Sequence, residues 1–149
     1  MNFENSVTYV LTQLAVAYRS YLEKSMNEIG LHSGQVFVLI SLWDEDGLSQ
    51  VDLVKRLNLT APTVNKMIKS LLNGGFVECR KCSSDGRLMR VFLTDKGFKC
   101  KTAVEDQWMK IEIQAYSNLT DTEKLVLSQL FLKMKENLTK NNLNNSVES

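Results

Sequence analysis

A mainly α-helical protein with one small β-hairpin is what the 149-residue sequence predicts, and three features carry that expectation. Apolar residues recur at three- and four-residue steps through most of the chain, the period of helices buried on one face. Between Leu48 and Gly75, in LSQVDLVKRLNLTAPTVNKMIKSLLNGG, two short periodic segments meet at a tight turn. Alternating apolar residues then flank Asp85-Gly86, a strong hairpin signal. Two helices at a sharp turn followed by a basic hairpin make a winged helix-turn-helix. The full expectation is six helices plus a two-stranded antiparallel hairpin.

Each element has its own grounds. Phe3, Val7, Val10, Leu11, Leu14, Tyr18, Tyr21, Leu22, Met26 and Ile29 place a first helix over Glu4 to Glu28, ended by Gly30 in the C′ position. Such a helix is about 37 Å long, more than a small core covers, so part of it is expected to pack on another subunit. A second helix follows from Ser33 to Asp44, with Val36, Leu39, Ile40 and Trp43 on one face. His32 and Ser33 compete as its N-cap, and Ser33 is the better candidate. Asp44 to Gly47 forms a turn. Ser49 and Asp52 then make a weak capping box for the third helix, whose core face is Leu53, Val54 and Leu57.

Asn58 falls in the tight turn, where asparagine tolerates a left-handed backbone. Thr60 is the expected cap of the fourth helix, and Pro62 lies in its first turn, where a missing N–H costs nothing. Val64, Met67, Ile68, Leu71 and Leu72 form its apolar stripe, and Asn73-Gly74-Gly75 ends it. Phe76 to Lys81 and Leu88 to Thr94 read as two strands, with Val77, Cys79, Val91 and Leu93 facing inward. Thr94 caps a fifth helix reaching about Ser117, with Phe98, Val104, Trp108, Ile111 and Ala115 in register. Thr120 and Glu123 box the start of a sixth, with Leu127, Leu130, Phe131, Met134 and Leu138 as its apolar set. Residues 141–149 are too polar to bury much and are expected to fray.

Composition narrows the function. Hydrophobic residues at 44% and charged residues at 23% describe an ordinary globular chain. No apolar run approaches a membrane span, and the N-terminus lacks a signal-peptide pattern, so a cytoplasmic protein with no membrane partner is expected. Three cysteines suit a reducing compartment. The net charge of +1 conceals an asymmetry. From Lys55 to Lys101 there are 11 basic and three acidic residues, a local charge of +8, while the remainder carries −7. A basic stretch that coincides with a helix-turn-helix and hairpin is the electrostatic footprint of a nucleic-acid binder.

The segment CSSDGRLMRVFLTDKG, Cys82 to Gly97, adds specificity. Asp85-x-Arg87, followed by Val91-x-Leu93-Thr94-x-x-Gly97, resembles the wing of the MarR/SlyA family of transcription regulators. Four helices, a wing and two more helices is that family's order, and the resemblance covers nearly the whole chain. The departures are Asn58, where glycine is commoner, and Cys79 and Cys82 in a wing usually richer in charge. The resemblance implies a single domain over 1–149. Within it, 32–97 would be the DNA-binding lobe, and 1–31 and 98–140 the helices of a homodimer. It also implies that Arg87, held in part by Asp85, enters the minor groove, where A·T-rich DNA concentrates negative potential. A small aromatic ligand would sit between dimerisation helices and lobe, lined by Tyr18, Tyr21, His32, Phe37 and Trp108, with Met109 nearby.

The residues themselves divide into readers and positioners. Thr60, Ala61, Thr63, Asn65 and Lys66, on the exposed N-terminal half of the fourth helix, are the candidates for base contacts. Ser49, Gln50, Arg56, Lys69, Arg80 and Arg90 are candidates for phosphate contacts. The expected partner is an A·T-rich palindromic operator, bound by a dimeric repressor that a small ligand releases.

Other chemistry finds less support. His32 is the only histidine, so a nucleophile–histidine site has one possible base, and no enzyme, cofactor or metal is expected. Cys79-Arg80-Lys81-Cys82 spells C-x-x-C, but residues three apart in a strand face opposite sides. Cys82, between cationic neighbours, is the candidate for a redox-responsive regulator. A winged-helix module that meets an acidic protein partner is the remaining alternative.

Overall fold

The computed structural model describes residues 2–84, 86 and 88–145, the side chains of 140–145 excepted. It contains α1 (Val7–Asn27), α2 (Ser33–Asp44), β1 (Leu48–Ser49), α3 (Gln50–Leu57), α4 (Ala61–Asn73), β2 (Val77–Lys81), β3 (Met89–Leu93), α5 (Asp95–Ala115) and α6 (Asp121–Asn145). A 3-10 turn at Phe3–Asn5 precedes α1. The chain divides into two compact units, Met1–Ile111 and Glu112–Ser149. Six helices and a β-wing are present as the periodicity predicts.

Local signals set most boundaries. Gly30, at φ +75°, occupies the left-handed position after α1. There Gly30 N–H donates to Asn27 O and Leu31 N–H to Met26 O, the two bonds of a Schellman end. The Ser49–Asp52 box forms in full, and Asn58 adopts φ 52°, ψ 44° in the turn between α3 and α4. The same box forms at Thr120 and Glu123, where the Glu123 carboxylate accepts from Thr120 N–H and Thr120 Oγ1, bonds that hold it below its usual pKa.

Four expectations are corrected. The first helix starts at Val7, because Ser6 Oγ accepts from Tyr9 N–H at 3.2 Å and donates to Phe3 O at 2.7 Å. The N-cap of α2 is His32, not Ser33. A longer-range group explains this: Glu23, on α1, accepts from Ser33 N–H and from His32 Nδ1, each at 2.8 Å. Leu72 and Phe98 are exposed, because Val64, Ile68 and Leu71 suffice for the buried face of α4 and Gly97 takes the inward position of α5. The helical backbone of α6 continues to Asn145, past the expected start of the tail.

The sheet holds a strand that the sequence did not announce. Two-residue β1 pairs with β3, giving the order β1-β3-β2, all antiparallel. The β2–β3 register places Val77 opposite Leu93 and Cys79 opposite Val91, so the alternation is met. Asp46 Oδ1 accepts from Leu93 N–H at 2.9 Å, and Gly47, at φ +76°, lies against the Phe92 ring. A Cβ at Gly47 would sit 2.6 Å from that ring, so the turn into β1 needs glycine twice over.

The core of the first unit gathers Met26, Leu31, Val36, Leu39, Leu42, Leu53, Val64, Leu71, Val91 and Val104 from α1 to α5. Across it, Gln35 Nε2 donates to Ser70 Oγ at 2.8 Å, tying α2 to the last turn of α4. The N-terminal part of α1 is different: Val7, Val10, Leu14 and Val16 are all exposed. In the second unit Leu125, Leu130, Leu132 and Leu138 of α6 are exposed as well.

Candidate nucleic-acid interface

The helix-turn-helix presents one polar, cationic surface. Pro62 is accommodated in the first turn of α4, and Val64, Ile68 and Leu71 at i, i+4 and i+7 turn inward. Thr60, Ala61, Thr63, Asn65, Lys66 and Lys69 are left exposed on the other side. All five proposed base readers are therefore exposed. Thr60 stands at the N-cap position without capping; its Oγ1 instead lies 2.8 Å from Thr63 Oγ1. The two hydroxyls are thereby held as a pair beside the first turn.

The proposed phosphate-contacting residues fall into two sets. Lys69 is exposed, and Gln50 is partly exposed at the start of α3. Arg80, also exposed, lies 4.7 Å from the centroid of Phe92, and its Nε donates to Glu78 Oε1 at 2.6 Å. The aromatic face and the carboxylate hold the guanidinium along the wing.

Ser49, Arg56 and Arg90 each make hydrogen bonds within the protein: Ser49 is buried, Arg90 half-buried and Arg56 exposed. Ser49 is 4% exposed and its hydroxyl donates to Asp52 Oδ2 at 2.6 Å; that bond leads the contributions holding the Asp52 carboxyl below its usual pKa. Arg56 donates to Ser41 O at 3.0 Å and to Asp44 Oδ2 at 2.7 Å, with Glu45 Oε2 at 3.6 Å, pinning α3 to the end of α2. Arg90 Nη1 donates to Gly47 O at 2.8 Å, and the residue sits directly across from Arg80 in the ladder. The partners of Arg56 and Arg90 are 15 and 43 residues away, beyond what local pattern reveals. Asp85 and Arg87 lie outside the described residues.

Five cations of the basic stretch escaped the sequence reading as individual residues: Lys55, Lys81, Lys96, Lys99 and Lys101. Lys55, in α3, and Lys81, the last residue of β2, are exposed. Lys96 occupies an unspecified position of the Leu93-Thr94-x-x-Gly97 motif, yet its ammonium reaches the end of α4, donating to Gly74 O at 2.7 Å. The motif's constant positions drew the eye and its variable ones did not.

The effector residues are less united than expected. A cleft of about 470 Å³ opens between α2 and α5, lined by Ile40, Trp43, Asp44, Lys101, Val104, Glu105 and Trp108. Of the five expected residues only Trp108 lines it. Phe37 meets the Trp108 ring edge-on, with centroids 6.4 Å apart. Tyr18 packs against the core, Tyr21 is exposed on α1, and the His32 ring is engaged by Glu23. A helix-face pattern cannot say which of several aromatics border a gap between two helices.

The cysteines also separate. Cys79 packs against the core and Cys100 is half-buried, and burial pushes both thiols above their usual pKa. Cys82 lies past the end of β2, with Sγ 3.1 Å from Ser84 Oγ. None of the three is in a disulfide. No helix among the described residues is long and apolar enough to cross a membrane.

Comparison with known proteins agrees with this geometry. The MarR family model matches residues 31–89, from just before α2 to the start of β3. An HTH-type transcriptional regulator of Bacillus subtilis, YwoH, is 31% identical over 108 residues, covering 72% of this chain and 78% of YwoH. A second from the same bacterium, YdgJ, is 27% identical over 109 residues; the match covers 73% of this chain and 66% of YdgJ, just under two thirds of its length. The crystallised MarR protein from Peptoclostridium difficile superimposes with a TM-score of 0.82 at 26% identity, covering 95% of this chain and 93% of that one. The exposed polar face of α4, the three-stranded wing sheet and these relatives lead to one conclusion: the chain belongs to the MarR family of winged helix-turn-helix, DNA-binding transcriptional regulators.

Proposed function

We propose that the protein binds a palindromic, A·T-rich operator as a homodimer and represses transcription until a small aromatic molecule releases it. The observation that carries this reading is the outward face of α4, where residues able to hydrogen-bond bases stand together and exposed. Asn65 suits an adenine edge, Lys66 a guanine, and the methyls of Ala61 and Thr63 a thymine methyl. Lys69, Gln50 and Arg80 would fix the helix on phosphates, and Arg87, with Asp85 beside it, would enter the minor groove. The exposed apolar faces of α1 and α6 support the dimer, since monomers seldom leave such surfaces in water.

The α2–α5 cleft is the place we assign to the effector. Its two indoles, Ile40 and Val104 offer an apolar slot, and Lys101, now 3.9 Å from Glu105, is the lining cation that would meet an acid group. A ligand there regulates only if it favours the DNA-free arrangement, and DNA must then weaken the ligand by the same factor.

The test is a gel shift with an A·T-rich palindrome and a scrambled duplex at two salt concentrations, repeated with salicylate. The palindrome should bind more tightly, both affinities should fall with salt, and salicylate should release the complex. Equal affinity for the two duplexes would defeat the sequence-specific reading, and indifference to salicylate would remove this effector class.

A further inference from the structure

The first turn of α5 reaches the C-terminal end of α4 through a set of contacts that DNA binding as described leaves unexplained. Helix α4 ends in a Schellman turn: Phe76 N–H donates to Leu71 O and Gly75 N–H to Leu72 O, each at 3.0 Å, with Gly75 at φ +71°. The next two carbonyls, those of Gly74 and Gly75, point at α5. Lys96 Nζ donates to Gly74 O at 2.7 Å and stands 4.3 Å from the centroid of the Phe76 ring. Thr94 Oγ1 donates to Gly75 O at 2.6 Å and accepts from Gly97 N–H at 3.2 Å. An ammonium at the negative end of a helix dipole and over an aromatic face is doubly favoured.

The α5 side of this joint is rigid. Thr94 N–H donates to Phe76 O at 3.1 Å, and the Trp43 indole donates to Gly97 O at 2.9 Å. Gly97 packs so closely that a Cβ there would lie 2.1 Å from Phe76 O. Along its length α4 is held by the buried side chains of Val64, Ile68 and Leu71, by Met67 against Gly34 of α2, and by the Gln35–Ser70 bond in its last turn. Apolar packing tolerates small tilts, and directional bonds at one end restrict them.

We propose that Lys96 is a positioning residue for DNA recognition: by clasping the C-terminal end of α4 to α5, it fixes the pitch at which the base-reading end is offered. The proposal rests on the DNA-binding reading of α4. Its lever is simple: 13 residues span about 20 Å, so a tilt of roughly 5° about the packed middle moves the N-terminal turn by almost 1 Å. That displacement is enough to break a base hydrogen bond while leaving phosphate attraction nearly intact. Trp43 belongs to both the joint and the α2–α5 cleft, so a cleft occupant that shifts its indole would act on the same clasp.

The experiment compares wild type, Lys96→Met and Lys96→Arg on two duplexes: one recovered by the wild-type protein from a random-sequence pool, and the same duplex scrambled. Lys96→Met should lose about tenfold on the recovered duplex, the effect of one lost base contact, with little change on the scrambled one. Its salt slope should equal that of wild type, and Lys96→Arg, which restores a cation of similar reach, should recover the affinity. Equal losses on both duplexes with a shallower salt slope would make Lys96 a phosphate ligand and overturn the proposal. Unchanged discrimination would overturn it as well. A wild-type protein that recovers no duplex at all would instead refute the DNA-binding reading on which it rests.

Discussion

Glu23 shows how one side chain joins the first helix to the lobe that follows. Its carboxylate takes the place of a side-chain cap for α2, accepting from Ser33 N–H and from the His32 ring. The hydrogen bonds from Ser33 and His32 outweigh the cost of desolvation, and hold the carboxyl down to about 2 from an ordinary value of 4.5. A depressed carboxyl stabilises the folded state when ionised, so its contribution is complete above pH 4.5 and is lost as the pH falls toward 2. The side chain is 36% exposed, and solvent screening limits the gain to that of a helix cap. Glu23→Ala should therefore cost about 1 kcal/mol at pH 7 in urea denaturation. The gap between variant and parent should close between pH 4.5 and 2; a gap that persists at the acid end would mean the carboxylate is not the cap.

Among the elements, the turn that carries α5 out of the wing has the least tolerance. Replacing Gly97 with alanine drives a methyl into the Phe76 carbonyl and against Leu93 Cδ2, 3.1 Å away. Backbone cannot yield there without moving β2 or α5, so Gly97→Ala should destabilise by about 3 kcal/mol, seen as a lower urea midpoint. Gly97 was singled out from the sequence, though its reason was hidden: the atom it avoids belongs to a residue 21 positions earlier. The same division runs through the fold. Features written within one turn of chain, such as the Ser49–Asp52 box, the left-handed Asn58 and the outward face of α4, were readable because their partners lie three or four residues away. Strand β1 was not, since two residues carry no period and its partner Val91 lies 43 positions on. Nor could charge alone tell that Arg56 and Arg90 donate to backbone carbonyls of the protein, those of Ser41 and Gly47.

For the molecule as a whole, the unpartnered apolar residues decide the state in which it acts. Val10 and Leu14 of α1, Ile113 of α5, and Leu125, Leu130 and Leu138 of α6 are each about half exposed or more. Fully burying a leucine contributes about 1.5–3 kcal/mol and these begin about half exposed, so it takes the whole set on both subunits, net of the cost of association, to reach micromolar self-association. The proposed homodimer should appear in sedimentation at micromolar concentration, and its melting temperature should rise with protein concentration. Leu130→Asp should weaken association about tenfold or more and lower palindrome binding in parallel, because two recognition helices about 34–36 Å apart are what a palindrome requires. Arg56→Ala serves as the control, since it loosens α3 from α2 without touching an exposed apolar residue. A folded monomer that sediments as such across the micromolar range, and still prefers the palindrome, would show that these faces are covered by something other than a second copy.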